Sequence, residues 1–314
     1  MQVFKILDPG PLTTVQDLGR YRYQRYGVPL SGVLDKFSYR VANWLVGNEE
    51  GAAALEITFM RLKIEVLSKT HIAVCGAEIP FKVNQEKGQP WTSFEVGPDD
   101  VINFKQAKTG LRAYLAVQGG IDVPMVMGSR STYVGAGLGG FEGRALAKDD
   151  VICRGHQPRL QRVRQLPDAL RPPFERDITL RALPGPQDDY FGEGLDVFFA
   201  NEFTVSGKAD RMGYRLEGPT IALKDGVPRS ILSEPSLPGG VQIPADGQPI
   251  ILLVEQTVGG YAKVATVITP DLDRVAQARP GDKVRFERID LENAHRAHEN
   301  YFSHLRHVQQ QLES

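Results

Sequence analysis

The feature of this sequence that most constrains its fold is an internal duplication. The phrase Pro-Gly-Pro stands at residues 9–11 and again at 184–186. A second phrase, Ser-Gly-x-x-Asp-x-x-x-Tyr-Arg, begins at Ser31 and again at Ser206. Both repeats have the same offset of 175 residues (184 minus 9, and 206 minus 31), which unrelated matches would not share. The spacing predicts two related domains in tandem, and 314 residues are enough for each to bury its own core.

Hydrophobic patterning predicts a mainly β protein with few short helices. The 32 glycines and 21 prolines are typical of many turns between short strands. Apolar residues in the stretch 55–67 recur with a period of two, as in strands. One helix is expected at 35–46, with Asp35 as its cap, and a long polar helix is expected from Asp290 onward.

A proline-rich segment separates the predicted domains. Residues 155–177 are polar and basic, contain prolines at four positions, and show no periodicity that would let them pack. We therefore expect a first domain at 1–165, a second at 175–288 and a C-terminal helix at 289–314.

Charge and hydropathy argue against several classes of function. The net charge of −1 gives no electrostatic footprint for nucleic acid or an anionic membrane. The sequence has neither a signal-peptide pattern nor an apolar run of membrane-spanning length, so a cytoplasmic protein is expected. The 2 cysteines are too few for a disulfide framework. Four of the 6 histidines lie on the C-terminal helix: His295 and His298 share a face, but His304 and His307 fall mostly on other faces, and no metal site is assigned to them.

A glycine-rich stretch at 135–140 matches the dinucleotide fingerprint G-x-G-x-x-G. That fingerprint requires a strand before it and a helix after it. Gly143 follows where the helix should continue, so a glycine loop that borders a ligand cleft and offers N–H groups to an anion is the better prediction. The sequence also lacks a Walker-type phosphate loop, so a nucleotide would need an atypical or shared site.

Ordered motifs along nearly the whole chain, to about residue 286, resemble those of one protein family. In the first half these motifs are TTVQDLGR at 13–20, GVP at 27–29, SGVLD at 31–35, RAYLAV at 112–117 and GGIDVP at 119–124. In the second half they are RALPGP at 181–186, DRMGYRL at 210–216, GVQIP at 240–244 and QTVGGY at 256–261. The set resembles the KipA family, which includes the 5-oxoprolinase C subunit and is also labelled allophanate hydrolase subunit 2 or urea amidolyase-related.

The resemblance implies two fused cyclophilin-like β-barrels that work beside a smaller KipI-like protein, the 5-oxoprolinase B subunit. With a third, LamB/YcsF-like A subunit, such a pair is associated with ATP-dependent opening of 5-oxoproline to glutamate. The sequence thus predicts a subunit of a cyclic-amide hydrolase, inactive alone, with ATP at a shared or partner site.

Two alternatives remain open. Homologous regions form the carboxyltransferase part of urea carboxylase, where carboxybiotin is the donor, and the KipA member itself is described as antagonising KipI, an inhibitor of a sensor histidine kinase. The chain has no Met-Lys-Met biotin attachment sequence, so biotin would have to be carried by another chain. Where the family usually has an aspartate before the QTTGGYP run, this chain has Val254; Glu255 beside it is expected to face the opposite side of the strand.

Opening a stable lactam requires an activated carbonyl, protection from water and groups that stabilise developing negative charge. Arginines and the carboxylates that orient them suit this chemistry. The catalytic candidates are Asp17, Arg20, Glu56, Arg211 and Arg215. The candidates for substrate binding are Gln16, Asp35, Asp210, Gln242, Gln256, Thr257, Gly259, Gly260 and Tyr261, although the two glycines would otherwise form only a bulge or tight turn. We expect these residues to converge in one cleft between the barrels.

The same residues have structural alternatives. Asp35 and Asp210 stand before predicted helices, where aspartate commonly caps the first turn. Arg40 and Arg215 would then pair with them locally. Glu56 lies in an apolar run, and because an unpaired buried carboxylate is costly, it must be either paired or functional.

Overall fold

A computed structural model describes residues 1–157, 160 and 162–313. The chain forms two compact units. Unit 1 comprises Met1–Tyr21, Ser31–Phe174 and His304–Ser314, and unit 2 comprises Arg22–Leu30 and Glu175–Ser303. Strands dominate both units, which confirms the predicted mainly β class. The boundaries expected for the two domains stay a prediction.

Unit 1 holds two antiparallel sheets. Its strands are β1 Gln2–Pro9, β2 Leu12–Gln16, β3 Ala54–Thr58, β4 Leu62–Val66, β5 Thr70–Gly76, β6 Phe81–Val83, β7 Glu86–Lys87, β8 Ser93–Val96, β9 Val101–Phe104, β10 Arg112–Val117 and β11 Val151–Cys153. One sheet has the order β11-β1-β4-β9-β6-β7 and the other β2-β3-β10-β5-β8. Side chains from both sheets, such as Phe4, Ile64, Ile57 and Leu115, form one hydrophobic cluster and are fully buried.

Helix α1, Lys36–Leu45, explains why two strands of unit 1 are buried on both faces. Every residue of β5 and β10 is buried, because the core covers one face and α1 packs on the other. The helix begins where expected: the Asp35 carboxylate accepts a hydrogen bond from Ser38 N at 2.9 Å.

Unit 2 is a closed barrel with the strand order β12-β19-β16-β17-β14-β13-β20 and a separate ribbon of β15 and β18. The strands are β12 Asp177–Pro184, β13 Glu202–Val205, β14 Gly213–Glu217, β15 Glu234–Pro235, β16 Gly240–Gln242, β17 Ile250–Leu252, β18 Val258–Gly259, β19 Lys263–Val267 and β20 Lys283–Arg288. Helices α2, Glu193–Ala200, and α3, Leu272–Gln277, also belong to it. Phe198 of α2 stacks on Phe286 of β20 with ring centroids 4.2 Å apart.

The second copy of the repeated phrase does not form the helix expected after Asp210. Residues 213–217 form strand β14 instead, and from Tyr214 to Glu217 they alternate between buried and exposed. Asp210 Oδ1 accepts hydrogen bonds from Met212 N at 2.8 Å and Gly213 N at 3.1 Å, so the aspartate closes a turn into the strand. The expected pairing of Arg40 with Asp35 is also absent from the described contacts, since Arg40 Nε lies 3.2 Å from Glu50.

Helix α4, Leu291–Glu313, begins at the predicted cap, where Asn293 N donates to Asp290 Oδ1 at 2.7 Å. In unit 1, the His304 ring stacks on Phe37 with centroids 5.7 Å apart, and burial lowers the pKa of this histidine. Among the residues that the structure describes, no helix is long and apolar enough to span a membrane.

Described parts of the segment 155–177 do pack, contrary to the prediction of a linker without the periodicity for packing. Pro158, Arg159 and Gln161 lie outside the described residues. Arg164 N donates to Ser93 Oγ at 2.7 Å, and Leu166 N donates to Trp91 O at 2.9 Å. The Leu166 side chain is fully buried. A single apolar residue has no periodicity of its own, so sequence patterning missed the contact.

Replacing Leu166 with alanine is expected to lower the free energy of unfolding of unit 1 by about 2–3 kcal/mol, because it leaves a cavity in a packed site. Val163→Ala is the control: Val163 is 62% exposed, and its change should stay within about 0.5 kcal/mol. Chemical unfolding followed by tryptophan fluorescence measures both. Equal effects of the two substitutions would show that the segment is not part of the core.

Candidate functional site

The carboxylate of Asp17, which directly follows β2, accepts hydrogen bonds from a loop of unit 1 that is distant in sequence. Its Oδ1 accepts from Ser129 Oγ at 2.6 Å and from Gly19 N at 2.8 Å, and its Oδ2 accepts from Arg130 N at 2.5 Å. Ser131 Oγ donates to the same carboxylate at 2.5 Å. These bonds give Asp17 a visible structural role, while a catalytic role stays a prediction.

Arg20 and Gln16 belong to the same network. Arg20 is fully buried and donates to Ser131 O at 2.5 Å. Gln16 Nε2 donates to Thr132 O at 3.1 Å. A Cβ on Gly139, whose φ is +68°, would lie 2.5 Å from Arg20 and 2.3 Å from Ser131 O, so only glycine allows this close approach.

The glycine loop that contains Gly139 borders a cavity of about 440 Å³ in unit 1. The cavity is lined largely by apolar side chains, including Val123, Val126 and Phe141. The N–H groups of Gly137 and Gly143 bond to carbonyls within the loop itself. The loop therefore borders a cavity as expected, but these two N–H groups are already used and are not offered to an anion.

Glu56 and Asp35 meet in a second buried network of unit 1. Glu56 Oε2 accepts from Tyr114 Oη at 2.8 Å and from Leu34 N at 3.3 Å, and Glu56 Oε1 lies 3.7 Å from Arg112 Nε. Tyr114 Oη in turn accepts from Asp35 N at 2.9 Å. Burial, and then the charge of Glu56, raises the pKa of Tyr114. Glu56 is thus a paired buried carboxylate, which is one of the two alternatives considered for it in the sequence analysis.

The predicted arginines of unit 2 differ in their surroundings. Arg211 is 6% exposed, and its Nε donates to Glu255 Oε1 at 2.6 Å, with Glu255 9% exposed. Arg215 lies at an exposed position of β14. Arg20 and Glu56 belong to unit 1, whereas Arg211 belongs to unit 2. The single cleft expected for them would need residues of both units and stays a prediction.

A polar cluster in unit 2 brings together the ribbon and the neighbouring barrel strands; we call it the Lys263 cluster, comprising Gln187, Glu234, Ser236, Gln242, Gly259 and Lys263. Lys263 Nζ donates to Glu234 Oε1 at 2.6 Å, and Gln187 Nε2 donates to the same oxygen at 3.1 Å. Gln187 Oε1 accepts from Lys263 N at 3.0 Å. Lys263 is 5% exposed, so an almost fully buried ammonium group is held by one partly exposed carboxylate.

Gln242 and Ser236 complete the cluster. Gln242 lies directly across from Lys263 in the pairing of β16 with β19, so their side chains share a face of the barrel. A Cβ on Gly259 would lie 3.0 Å from Gln242 Oε1 and 3.2 Å from Ser236 Oγ. Both oxygens therefore lie close against the backbone of Gly259. Of the sequence-predicted residues, Gln242 and Gly259 are brought together here.

Known proteins match this chain through both of its units. A family model described as "Carboxyltransferase domain, subdomain A and B" matches residues 26–288, which include most of both units. The chain belongs to this carboxyltransferase-domain family. It is 38% identical to the 5-oxoprolinase C subunit of Escherichia coli (strain K12), over 96% of this chain and 97% of that protein. It is 34% identical to the 5-oxoprolinase C subunit of Haemophilus influenzae over 96% of this chain and 97% of that protein. The resemblance inferred from the motifs is confirmed.

A solved structure in this carboxyltransferase-domain family shares the fold. The crystal structure of the K. lactis urea amidolyase superposes with a TM-score of 0.90 at 30% identity. The match covers 98% of this chain but only 20% of that much longer chain.

Three other predicted binding residues of this carboxyltransferase-domain protein, Gln256, Thr257 and Gly260, form hydrogen bonds in or beside the ribbon. Gln256 Nε2 donates to Val258 O at 2.5 Å, and Thr257 O accepts from Ser236 N at 2.9 Å. Gly260 O accepts from Ile231 N at 2.8 Å. Tyr261 is 39% exposed. Gly259 lies in strand β18 rather than in the bulge or tight turn considered for it.

Sequence reasoning missed Lys263, Glu234, Ser236 and Gln187. One signal was available: Lys263 begins an apolar run, and lysine is almost never fully buried unless it is paired. That pattern predicts a carboxylate partner but not its position, because Glu234 is 29 residues away in the chain.

Acidification is expected to lower the free energy of unfolding of unit 2, because it protonates the carboxylate of Glu234. The hydrogen bond from Lys263, and then the one from Gln187, holds the pKa of Glu234 below its usual value of 4.5. The folded state therefore binds this proton less readily than the unfolded chain does. The stabilisation is fully present above the unfolded pKa and is lost as the pH falls through the folded one. Because the carboxylate is partly exposed, we expect this loss to lower the free energy of unfolding of unit 2 by only about 0.5–1 kcal/mol.

Urea unfolding of the wild type and of Glu234→Gln, from about pH 7 to pH 3, measures this loss. The variant should be less stable near neutral pH, and the difference should shrink on acidification. Glu299→Gln, at an exposed position of α4, is the control and should follow the wild type. A difference between wild type and Glu234→Gln that does not change with pH would contradict the expectation.

Proposed function

We propose that this chain is the C subunit of a 5-oxoprolinase, which opens 5-oxoproline to glutamate at the expense of ATP. The observation that carries the proposal is the match with the E. coli 5-oxoprolinase C subunit, which extends through both units of this chain and over 97% of that protein. Its partners are a KipI-like B subunit and a LamB/YcsF-like A subunit. The chain thus acts as part of a hydrolase and is inactive alone.

The Lys263 cluster suits part of this chemistry. A lactam offers one N–H donor and one carbonyl oxygen, and the cluster holds acceptor oxygens beside a lysine ammonium group. A phosphate group would instead approach the carboxylate of Glu234, a like charge that disfavours it. This supports the placement of ATP at a shared or partner site, with the amide substrate on this chain.

A second candidate is a carboxyltransferase module that acts on urea through biotin carried by another chain. The superposition on the K. lactis urea amidolyase, with a TM-score of 0.90, favours it. The two candidates differ in substrate, donor and partners, so a reconstitution can separate them. A non-catalytic regulator of a KipI-like protein would form the complex but turn over neither substrate.

The test is ATP hydrolysis by this chain, alone and with both partner subunits, in the presence of 5-oxoproline or of urea with bicarbonate, a biotin carboxylase and a biotinylated carrier protein. We expect turnover of 5-oxoproline only in the full mixture. Lys263→Met should lower kcat/KM about tenfold or more, because it removes a charged hydrogen-bond donor. Lys208→Met, at an exposed position of unit 2, should not. Turnover of urea but not of 5-oxoproline would favour the second candidate. A stable complex that turns over neither substrate would favour the non-catalytic regulator.

A further inference from the structure

A polar cavity of about 540 Å³ lies in unit 1, and its lining includes Asn48, Gly119 and Gln157. Gly119 N donates to Asn48 Oδ1 at 2.8 Å and to Gln157 Oε1 at 2.9 Å. Asn48 Nδ2 donates to Val117 O at 2.9 Å. Because these groups bond to one another and to the backbone, this part of the lining is held by the fold and needs no ligand to satisfy it.

Four ionisable side chains also line the cavity, namely those of Glu49, Asp122, Arg130 and His156. In the part of the chain that the structure describes, the Glu49 carboxylate and the His156 ring have no hydrogen-bond or ion-pair partner. Arg130 Nε donates to Val123 O at 2.9 Å, and Arg130 Nη2 lies 3.9 Å from Asp122 Oδ1, which is beyond hydrogen-bond distance. The terminal nitrogens of Arg130 and the carboxylate of Glu49 are therefore unused charged groups in the wall of one cavity.

A buried positive charge lies next to this lining. Arg154 is 9% exposed, and its Nη1 donates to Gln118 O and to Gly155 O, both at 3.2 Å. Gly155 itself lines the cavity. No carboxylate pairs with Arg154 among the described residues, and burial lowers the pKa of its guanidinium. Because a buried charge is costly unless it is paired, Arg154 favours a negative group in the neighbouring cavity.

The mixed charges of the lining exclude simpler ligands. Glu49, Asp122 and His156 do not form a metal site, since the described residues contain no group of three or more His, Cys, Asp or Glu side chains that could hold a metal ion. A phosphate would meet two carboxylates, and a diamine would meet Arg130 and the nearby Arg154. A molecule with one negative and one positive group matches both signs. A free amino acid carries both groups on one carbon, whereas each end of a peptide carries only one.

We propose that this cavity of unit 1 binds a free α-amino acid, with its carboxylate at Arg130 and its ammonium group at Glu49. Arginine presents a fork of donors that matches a carboxylate, and the glutamate carboxylate accepts hydrogen bonds from an ammonium group. The site goes beyond the proposed function and does not rest on it, because none of the candidate catalytic or substrate-binding residues lines this cavity.

The test is calorimetric titration of the full chain with L-glutamate and with two analogues: glutarate, which lacks the ammonium group, and 4-aminobutyrate, which lacks the α-carboxylate. We expect L-glutamate to bind about tenfold or more tightly than either analogue, because each loses one charged hydrogen-bonding group. Arg130→Gln and Glu49→Gln should each bring L-glutamate close to the analogues. Arg61→Gln and Glu86→Gln, at exposed positions of unit 1 outside the cavity, are matched controls and should keep the preference.

The outcomes separate this site from binding elsewhere. A preference for L-glutamate that is lost in Arg130→Gln and Glu49→Gln but kept in both controls supports the inference. A preference that is unchanged in both cavity variants overturns it, since the amino acid would then bind at another place. Glutarate that binds as tightly as L-glutamate, or no binding of L-glutamate, also overturns it. Both substituted side chains are at least partly exposed, so thermal unfolding should show little loss of stability.

Discussion

Replacing Glu56 with alanine is expected to lower the free energy of unfolding of unit 1 by about 3–5 kcal/mol. The carboxylate is 1% exposed and accepts hydrogen bonds from Tyr114 Oη and Leu34 N. It also lies beside the guanidinium of Arg112, which is 3% exposed. Alanine leaves Tyr114 Oη and Leu34 N without this acceptor and takes away a negative charge beside the buried guanidinium of Arg112, and breaking a buried ion pair by removing one member is strongly destabilising.

Glu65→Ala is the matched control, because Glu65 lies on strand β4 of the same unit at a half-exposed position. Its effect should stay within about 0.5 kcal/mol. Guanidinium unfolding of the full chain, monitored by far-ultraviolet circular dichroism, gives both values. Near-equal stabilities of the two variants would mean that water reaches Arg112 and that the pair is not structurally important. The result also bears on function, because a large loss of stability would explain lost activity without a catalytic role.

Sequence analysis correctly predicted the secondary-structure elements that are determined by residues close together in the chain. Helix α1 was predictable because its cap and its apolar face lie within the same dozen residues. The second copy shows the limit of this reasoning. Asp210 stands in the same phrase as Asp35, but the residues after it alternate with the period of a strand, and that pattern decided the outcome. The packing of Leu166 on the Trp91 region could not be predicted, since it depends on a partner far along the chain.

The candidate site was predictable only in part for the same reason. Gln242 and Gly259 stood out because they lie in family-like motifs. Lys263, Glu234 and Ser236 carry no motif and meet through the register of β16 with β19 and of β15 with β18. Register is set by tertiary contacts and by turn geometry, and a sequence with no alignment does not reveal it. Buried polar atoms without partners are visible only once side chains are placed.

Replacing Arg211 with alanine is expected to cost unit 2 about 3–5 kcal/mol, because the buried carboxylate of Glu255 loses its cation. Arg215→Ala, at an exposed position of β14, is the control and should change stability by less than about 0.5 kcal/mol. Thermal and urea unfolding measure both. A small effect of Arg211→Ala would show that Glu255 is stabilised by other groups. Loss of activity in this variant alone therefore does not assign Arg211 a catalytic role.

The double variant Arg211→Leu/Glu255→Leu separates the two roles. Exchanging both members of a buried ion pair for apolar residues of similar volume is often neutral or stabilising, so we expect it to recover most of the stability lost in Arg211→Ala. If the pair is only structural, 5-oxoproline-dependent ATP hydrolysis in the reconstituted complex should recover with it. If Arg211 stabilises charge in the reaction, stability should return while kcat stays low. Recovery of neither would show that the ion pair fixes the backbone conformation just before β14, where Arg211 lies, and between β17 and β18, where Glu255 lies.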